Sequence, residues 1–262
     1  MTGAHDMKAF MRIVTLTFAA AALAGCSAFG PDRDTLYQVS AFDAFAKGAY
    51  EGQVTVASLK AHGDVGTGTL NSLDGEMVCL RGAVYRVGAD GAVSPVSDAA
   101  RTPFACVTFF EPDRSVTLPE GTSLDQLAAY LTEQAGSRSL PLAVRLSGTF
   151  SYVKARSVPA QSPPYPPLEV VARNQPVFEF AEARGTMVGF WVPPYLNGTC
   201  FPGMHLHFLT ADGRGGGHVL EFTAKEGVAQ VDVTPRVCVV GADGADFLKA
   251  DFSAAQPRPG VE

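Results

Sequence analysis

Asp212-Gly213 sits between two apolar runs that carry three of the chain's five histidines: Gly203-Met204-His205-Leu206-His207-Phe208-Leu209 and Gly216-Gly217-His218-Val219-Leu220. Asp-Gly suits a two-residue type I′ hairpin turn, whose central positions both take positive φ. A turn centred there makes paired residue numbers sum to 425, so His207 stands opposite His218. Side chains at i and i+2 of a strand share a face, which places His205 diagonally beside them. Three imidazole nitrogens on one patch form a donor set for a metal ion. Three protein ligands leave a coordination position open, as in catalytic rather than structural zinc sites. The alternatives are a histidine-bearing strand that faces solvent, or a bulge in the glycine run that breaks the register.

A chain of 262 residues, 47% apolar and 18% charged, suits one large or two ordinary globular domains. Its net charge of −6, with no basic run, argues against a nucleic-acid partner. Residues 1–25 read as an address: Lys8 and Arg12 make a positive start, and Ile13–Ala24 is an apolar run too short to span a bilayer. Leu23-Ala24-Gly25-Cys26 resembles the lipobox of bacterial lipoproteins, whose cysteine carries the lipid. The expectation is an exported, periplasmic or cell-envelope protein anchored through Cys26, with a tether over residues 26–35. An ordinary signal peptide is the alternative. Export makes disulfides possible among Cys79, Cys106, Cys200 and Cys238, and sequence does not choose among the three pairings. Cys200 is expected to be buried or paired rather than a metal ligand.

Leu36–Val39 reads as a strand, followed by a short helix that Ser40 caps and that runs to Lys47. The Gly63–Leu70 passage is Gly/Thr-rich but lacks the Lys-Ser/Thr ending of a phosphate loop. A Leu73-Asp74-Gly75 turn delivers Glu76 to the head of a strand over 77–87, and a turn at 89–91 leads back toward 104–110. Ser123-Leu124-Asp125-Gln126 is a capping box that opens the clearest helix, with Gly136 as its stop. Strands are expected at 140–146 and 149–153. The proline-rich stretch Val158–Leu168 then marks a domain junction or a long surface loop. Further strands are expected at 177–180, 185–192, the histidine hairpin and 228–240. The pattern is α+β: two β-rich halves, 36–165 and 166–262, with mixed, largely antiparallel sheets and few helices.

A metal with an open position polarises substrate oxygens. An arginine beside it binds a carboxylate in bidentate fashion, and a desolvated carboxyl there exchanges a proton at useful pH. Spacing alone brings no particular arginine or glutamate to the histidines. Five passages go further: Gly66-Thr-Gly-Thr-Leu-Asn-Ser-Leu-Asp-Gly-Glu76-Met, Thr102-Pro-Phe-Ala-Cys-Val-Thr, Arg156-Ser-Val-Pro-Ala-Gln, Gly185-Thr-Met-Val-Gly-Phe, and the histidine hairpin itself. In content and order they resemble the alpha-acetolactate decarboxylase family, from about Leu36 to the C-terminus.

The resemblance implies two α/β-type halves with mixed sheets, a homodimer, and a Zn2+ held by His205, His207 and His218. It implies conversion of (S)-2-acetolactate to (R)-acetoin and carbon dioxide through a metal-stabilised enediolate. Glu76 matches the family's active-site glutamate, Arg156 its arginine and Thr69 a threonine lining the site. A second glutamate near the family's C-terminus is best matched by Glu262, although here that residue is terminal and follows a proline-containing tail. Two rivals stand beside this reading. A cupin-type oxygenase also uses His-x-His, but places a glutamate four or five residues later, where this chain has Ala211 and Asp212. The other is a non-catalytic, lipid-anchored metal-binding protein.

Overall fold

The computed structural model describes residues 33–241 together with Gly244, Phe247 and Leu248. The address segment with Cys26, most of the tether, and the tail with Glu262 lie outside the described residues. The first part of the chain runs β1 (Thr35–Val39), α1 (Phe42–Ala46), β2 (Val54–Thr55), α2 (Val56–Lys60), β3 (Val65–Thr69), β4 (Glu76–Leu80), β5 (Ala83–Val87) and β6 (Val93–Pro95). Next come β7 (Arg101–Thr102), β8 (Ala105–Thr108), β9 (Arg114–Thr117), α3 (Leu124–Gln134) and β10 (Leu142–Arg156). The remainder is α4 (Leu168–Ala172), β11 (Val177–Val192), β12 (Gly203–Thr210), β13 (Gly216–Val233) and β14 (Arg236–Val240).

Seven strands form a mixed sheet in the order β14-β1-β8-β3-β4-β5-β6, in which only β14 and β1 run parallel. The second sheet, β10-β11-β12-β13-β9, is antiparallel and curls until β10 also pairs with β13. Gly148 faces Gly185 on one side and Gly227 on the other. A Cβ on Gly148 would meet the Glu226 carbonyl at 2.1 Å and one on Gly185 the Leu209 carbonyl at 2.4 Å, so close backbone approach at the bend excludes larger residues.

Strand alternation sorts side chains into three cores. Val65, Val78, Phe104, Val188 and Phe190 fill the space between the two sheets. Leu142, Val144, Phe150, Phe208 and Phe222 fill the curled sheet, where Leu127 and Leu131 of α3 join them. Met77, Cys79, Ala105 and Val107 face the far side of the mixed sheet, with Val56 and Leu59 of α2. Residues that alternate with Phe208 and Leu206 therefore point out of the curled sheet and toward the mixed one, and these include His205 and His207.

The α+β class and the mixed, largely antiparallel sheets agree with expectation, while several boundaries do not. The proline-rich stretch does not divide the sheets: β9 and β10 precede it yet pair with β13, and β14 follows it yet pairs with β1. The strand expected over 77–87 is a hairpin, β4 and β5, turned at Arg81-Gly82, where both residues have positive φ (54° and 75°). The pairs of strands expected at 140–153 and 177–192 are single long strands, β10 and β11. Ser40 does not cap α1. Its φ is 65°, its N–H bonds to Val240, and Ala41 takes the cap position. The helix over Leu124–Gln134 does carry both capping-box bonds between Ser123 and Gln126. Cys79, Cys106, Cys200 and Cys238 are all free thiols, so none of the three pairings occurs.

Candidate active site

The histidine hairpin keeps the expected register. His207 faces His218, Phe208 faces Gly217 and Leu209 faces Gly216. Its turn is longer than two residues: Thr210 N–H reaches the Gly215 carbonyl, leaving Ala211–Arg214 as a four-residue loop. The loop shares its centre with the expected turn, so the numbers still sum to 425 and the histidines stay aligned. The Thr210 hydroxyl donates to Asp212 Oδ1 at 2.6 Å and accepts from Gly215 N–H, and Gly213 supplies the left-handed φ of 68°. Asp212 is thus spent on the turn, at the position where the cupin pattern wants a ligand.

His205 Nε2 lies 3.0 Å from His218 Nδ1 and 3.2 Å from His207 Nε2. Tetrahedral zinc with bonds of about 2.0–2.1 Å holds its ligands about 3.3 Å apart, so these two spacings fit such an ion, and all three donor atoms lie within 4.8 Å of one another. Burial and neighbouring positive charge, including Arg156, hold all three imidazoles below their ordinary pKa, His207 at about 3. They are neutral, as metal ligands must be. His207 Nδ1–H donates to the Met77 carbonyl at 2.8 Å, which fixes the tautomer and turns the Nε2 lone pair toward the other two rings. That bond crosses from the mixed sheet to the curled one. Cys200 is buried and unpaired, burial pushes its thiol up to about 11, and it stands outside the three-histidine donor group.

Glu76 opens β4 and stands opposite Thr69 of β3. Thr69 Oγ1 donates to the Gly75 carbonyl at 2.6 Å and so braces the turn that delivers Glu76. Arg156 ends β10 opposite His218. Glu76 Oε1 accepts from Arg156 at 2.5 Å, and Glu76 Oε2 is 3.4 Å from His207 Nε2. The Glu76 side chain is 7% exposed and that of Arg156 17%. Burial raises the Glu76 pKa, against the pull of Arg156. The structure therefore brings together His205, His207, His218, Glu76, Arg156 and Thr69, from five different strands. Cys26 and Glu262 lie outside the described residues.

These side chains line one cavity of about 40 Å³, room for a few water-sized groups. Its apolar lining includes Phe42, Phe45, Phe104, Phe201, Leu73 and Leu168, none of them read from the sequence as a site residue. Phe201 packs on His205 with ring centres 4.9 Å apart. Aromatic residues near Pro and Gly look like ordinary core in a sequence, so only the assembled sheets reveal this wall. A buried acid–arginine pair beside three neutral nitrogens can bind a small anion and pass a proton to it.

The family description of alpha-acetolactate decarboxylase matches residues 36–254. The alpha-acetolactate decarboxylase of Methanosarcina mazei is 44% identical over 219 residues, covering 84% of this chain and 76% of that protein. The Klebsiella aerogenes enzyme of the same name is 39% identical over 231 residues, 88% of each. The crystal structure of alpha-acetolactate decarboxylase from Bacillus subtilis superposes with a TM-score of 0.81 at 33% identity, covering 84% of this chain and 94% of that one.

Proposed function

The chain belongs to the alpha-acetolactate decarboxylase family, and from that premise we propose that it converts (S)-2-acetolactate to (R)-acetoin and carbon dioxide with a zinc ion held by His205, His207 and His218. The observation that carries this reading is the convergence of three neutral imidazole nitrogens beside the buried Glu76–Arg156 pair. When bound, zinc supplies a Lewis acid for the keto and hydroxyl oxygens of the substrate.

The chain's own residues do the rest. Arg156 is the carboxylate partner, since its guanidinium stays charged and its fork matches two carboxylate oxygens. Loss of carbon dioxide leaves an electron pair on carbon, which a proton must quench. Glu76 is the donor within reach, and its burial keeps that proton bound to higher pH than an ordinary glutamate. Delivery from one fixed side selects one configuration of acetoin. The cavity is small and largely apolar around the acid–arginine pair, a lining in keeping with a small carboxylic acid. Glu262 is the proposed second carboxylate.

The cupin reading loses its fourth ligand to the loop, as described. A purely metal-binding protein has no use for an acid and an arginine held against the ligands. The test is acetoin production by zinc-loaded protein, with and without a chelator. Zinc-dependent turnover is expected. Full turnover after complete metal removal, or none with zinc bound, overturns the reading. Export and lipidation at Cys26 belong to the same proposal, supported by the basic start, apolar run and lipobox-like ending, and are tested by mass spectrometry of the membrane fraction. So does a homodimer. Strand β14 is the edge of the mixed sheet, and its Val239 is 37% exposed; sedimentation measures the assembly.

A further inference from the structure

Part of the cavity's apolar lining hangs on a hydrogen-bonded latch outside it. Leu73 follows Ser72 in a turn where both have left-handed φ, 60° for Ser72 and 59° for Leu73, a conformation that survives only where neighbours hold it. Val158 and Leu168 are the two ends of the proline-rich stretch, and both line the cavity. Gln161 N–H from that stretch donates to the Ser72 carbonyl at 2.7 Å, while Ser72 N–H donates to the Tyr50 carbonyl at 2.9 Å. Tyr165, also in the stretch, donates its hydroxyl proton to Glu51 Oε1 at 2.5 Å. A phenol has one proton, so the 2.9 Å contact between Tyr165 Oη and Ser72 Oγ has serine as donor. The Tyr165 ring packs edge-on against buried Tyr50, with centres 5.3 Å apart. Ser72, Tyr165 and Glu51 are absent from the cavity lining, so none of them touches the reacting atoms.

We infer that the Ser72–Tyr165–Glu51 latch sets the position of Leu73, Val158 and Leu168 and thereby the size of the 2-alkyl group that the site accepts, so that Tyr165 is a positioning residue for substrate selection. The inference rests on the proposed decarboxylation. A cavity of about 40 Å³ is tight enough for one methylene to matter. Rejection of an extra methylene by an apolar wall is worth about 10- to 200-fold in kcat/KM, provided that the wall does not yield. The latch keeps the wall from yielding, because the proline-rich stretch belongs to no sheet and is positioned by these contacts together with the packing of Val158, Tyr165 and Leu168 on the core.

The experiment compares kcat/KM for 2-acetolactate and for its homologue with ethyl in place of the 2-methyl group, using the zinc-loaded full chain. The native chain is expected to favour the methyl substrate by about tenfold or more. Tyr165→Phe keeps the ring against Tyr50 and removes only the hydroxyl. It should lower that preference about threefold or more through KM for the ethyl substrate, leaving kcat for the methyl substrate in place. Ser72→Ala should do the same, and the double variant should go no further than either single one, since both break one latch. Leu168→Ala should shift the ratio in the same direction without touching the latch. A preference unchanged in Tyr165→Phe and Ser72→Ala, or equal losses on both substrates, overturns the inference while the decarboxylation stands. A native chain inactive on both substrates overturns the decarboxylation reading, and this inference with it.

Discussion

Glu76 faces two demands at once: one oxygen is bound by Arg156, and the other lies near His207 Nε2. In its proposed role as proton donor it must ionise and recover, which an amide of the same shape does not do. Glu76→Gln should lower turnover on the order of 100-fold or more, as loss of a general acid does. Metal content per chain should be unchanged, because the three imidazoles and the Met77 bond are untouched. Metal analysis beside acetoin assays separates the two quantities, and retained turnover removes the residue from the mechanism. The histidine cluster itself is legible in the sequence, since strand period and the turn's centre are local rules that align His205, His207 and His218. The Met77 carbonyl is not legible. It reaches His207 only because two sheets built from distant segments stack there, and no spacing rule spans 130 residues.

At the scale of elements, β13 is held to β10 at the pair His218–Arg156, and Gly217 beside it has φ of +137°. A Cβ on Gly217 would meet the Arg156 carbonyl at 2.4 Å, in a backbone conformation that other residues rarely take. Gly217→Ala should therefore push the strands apart where His218 and Arg156 meet. A loss of about 10- to 100-fold in zinc affinity is expected, comparable with disturbing a ligand's support, along with about 2 kcal/mol of stability. Ser123→Ala offers the contrast: it removes a capping bond of α3 for about 1 kcal/mol and should leave zinc affinity alone. Competition with a zinc dye and urea unfolding measure both; equal affinity in the Gly217 variant refutes the argument.

These two positions also show what local sequence can and cannot say. The α3 cap is written in four consecutive residues, so its signal survives any packing. The hairpin of β4 and β5 is masked, because Arg81 takes a positive φ that its type does not favour and alternation runs through it. Ser40 looks like a cap but bonds instead to Val240, a residue 200 positions away.

Across the whole molecule, the composition and turn spacing announce a β-rich fold, yet not its strand order. The two sheets exchange chain across the proline-rich stretch because β1 pairs with β14 and β10 with β13, contacts that no window on the sequence contains. That exchange leaves Asp232, near the end of β13, only 2% exposed. Its Oδ2 accepts from Glu111 N–H at 3.0 Å. Burial, together with the carboxylates of Asp113, Asp34 and Glu111, pushes its pKa up to about 7 from 3.8. Between those two values the folded chain holds a proton that the unfolded chain has released. The stability this brings is fully present below about 3.8 and is lost as pH rises through about 7. With allowance for solvent screening the window is worth about 1–2 kcal/mol. Asp232→Asn keeps an acceptor for Glu111 N–H and has no proton to lose. Relative to the native chain it should therefore gain about 1–2 kcal/mol between pH 4.5 and pH 8. Urea unfolding of metal-free protein at the two pH values measures this, with titrating groups distant from Asp232 cancelling in the difference. A difference that stays constant with pH means that Asp232 ionises in the folded protein as it does in the unfolded chain, and that the seam between the sheets admits water.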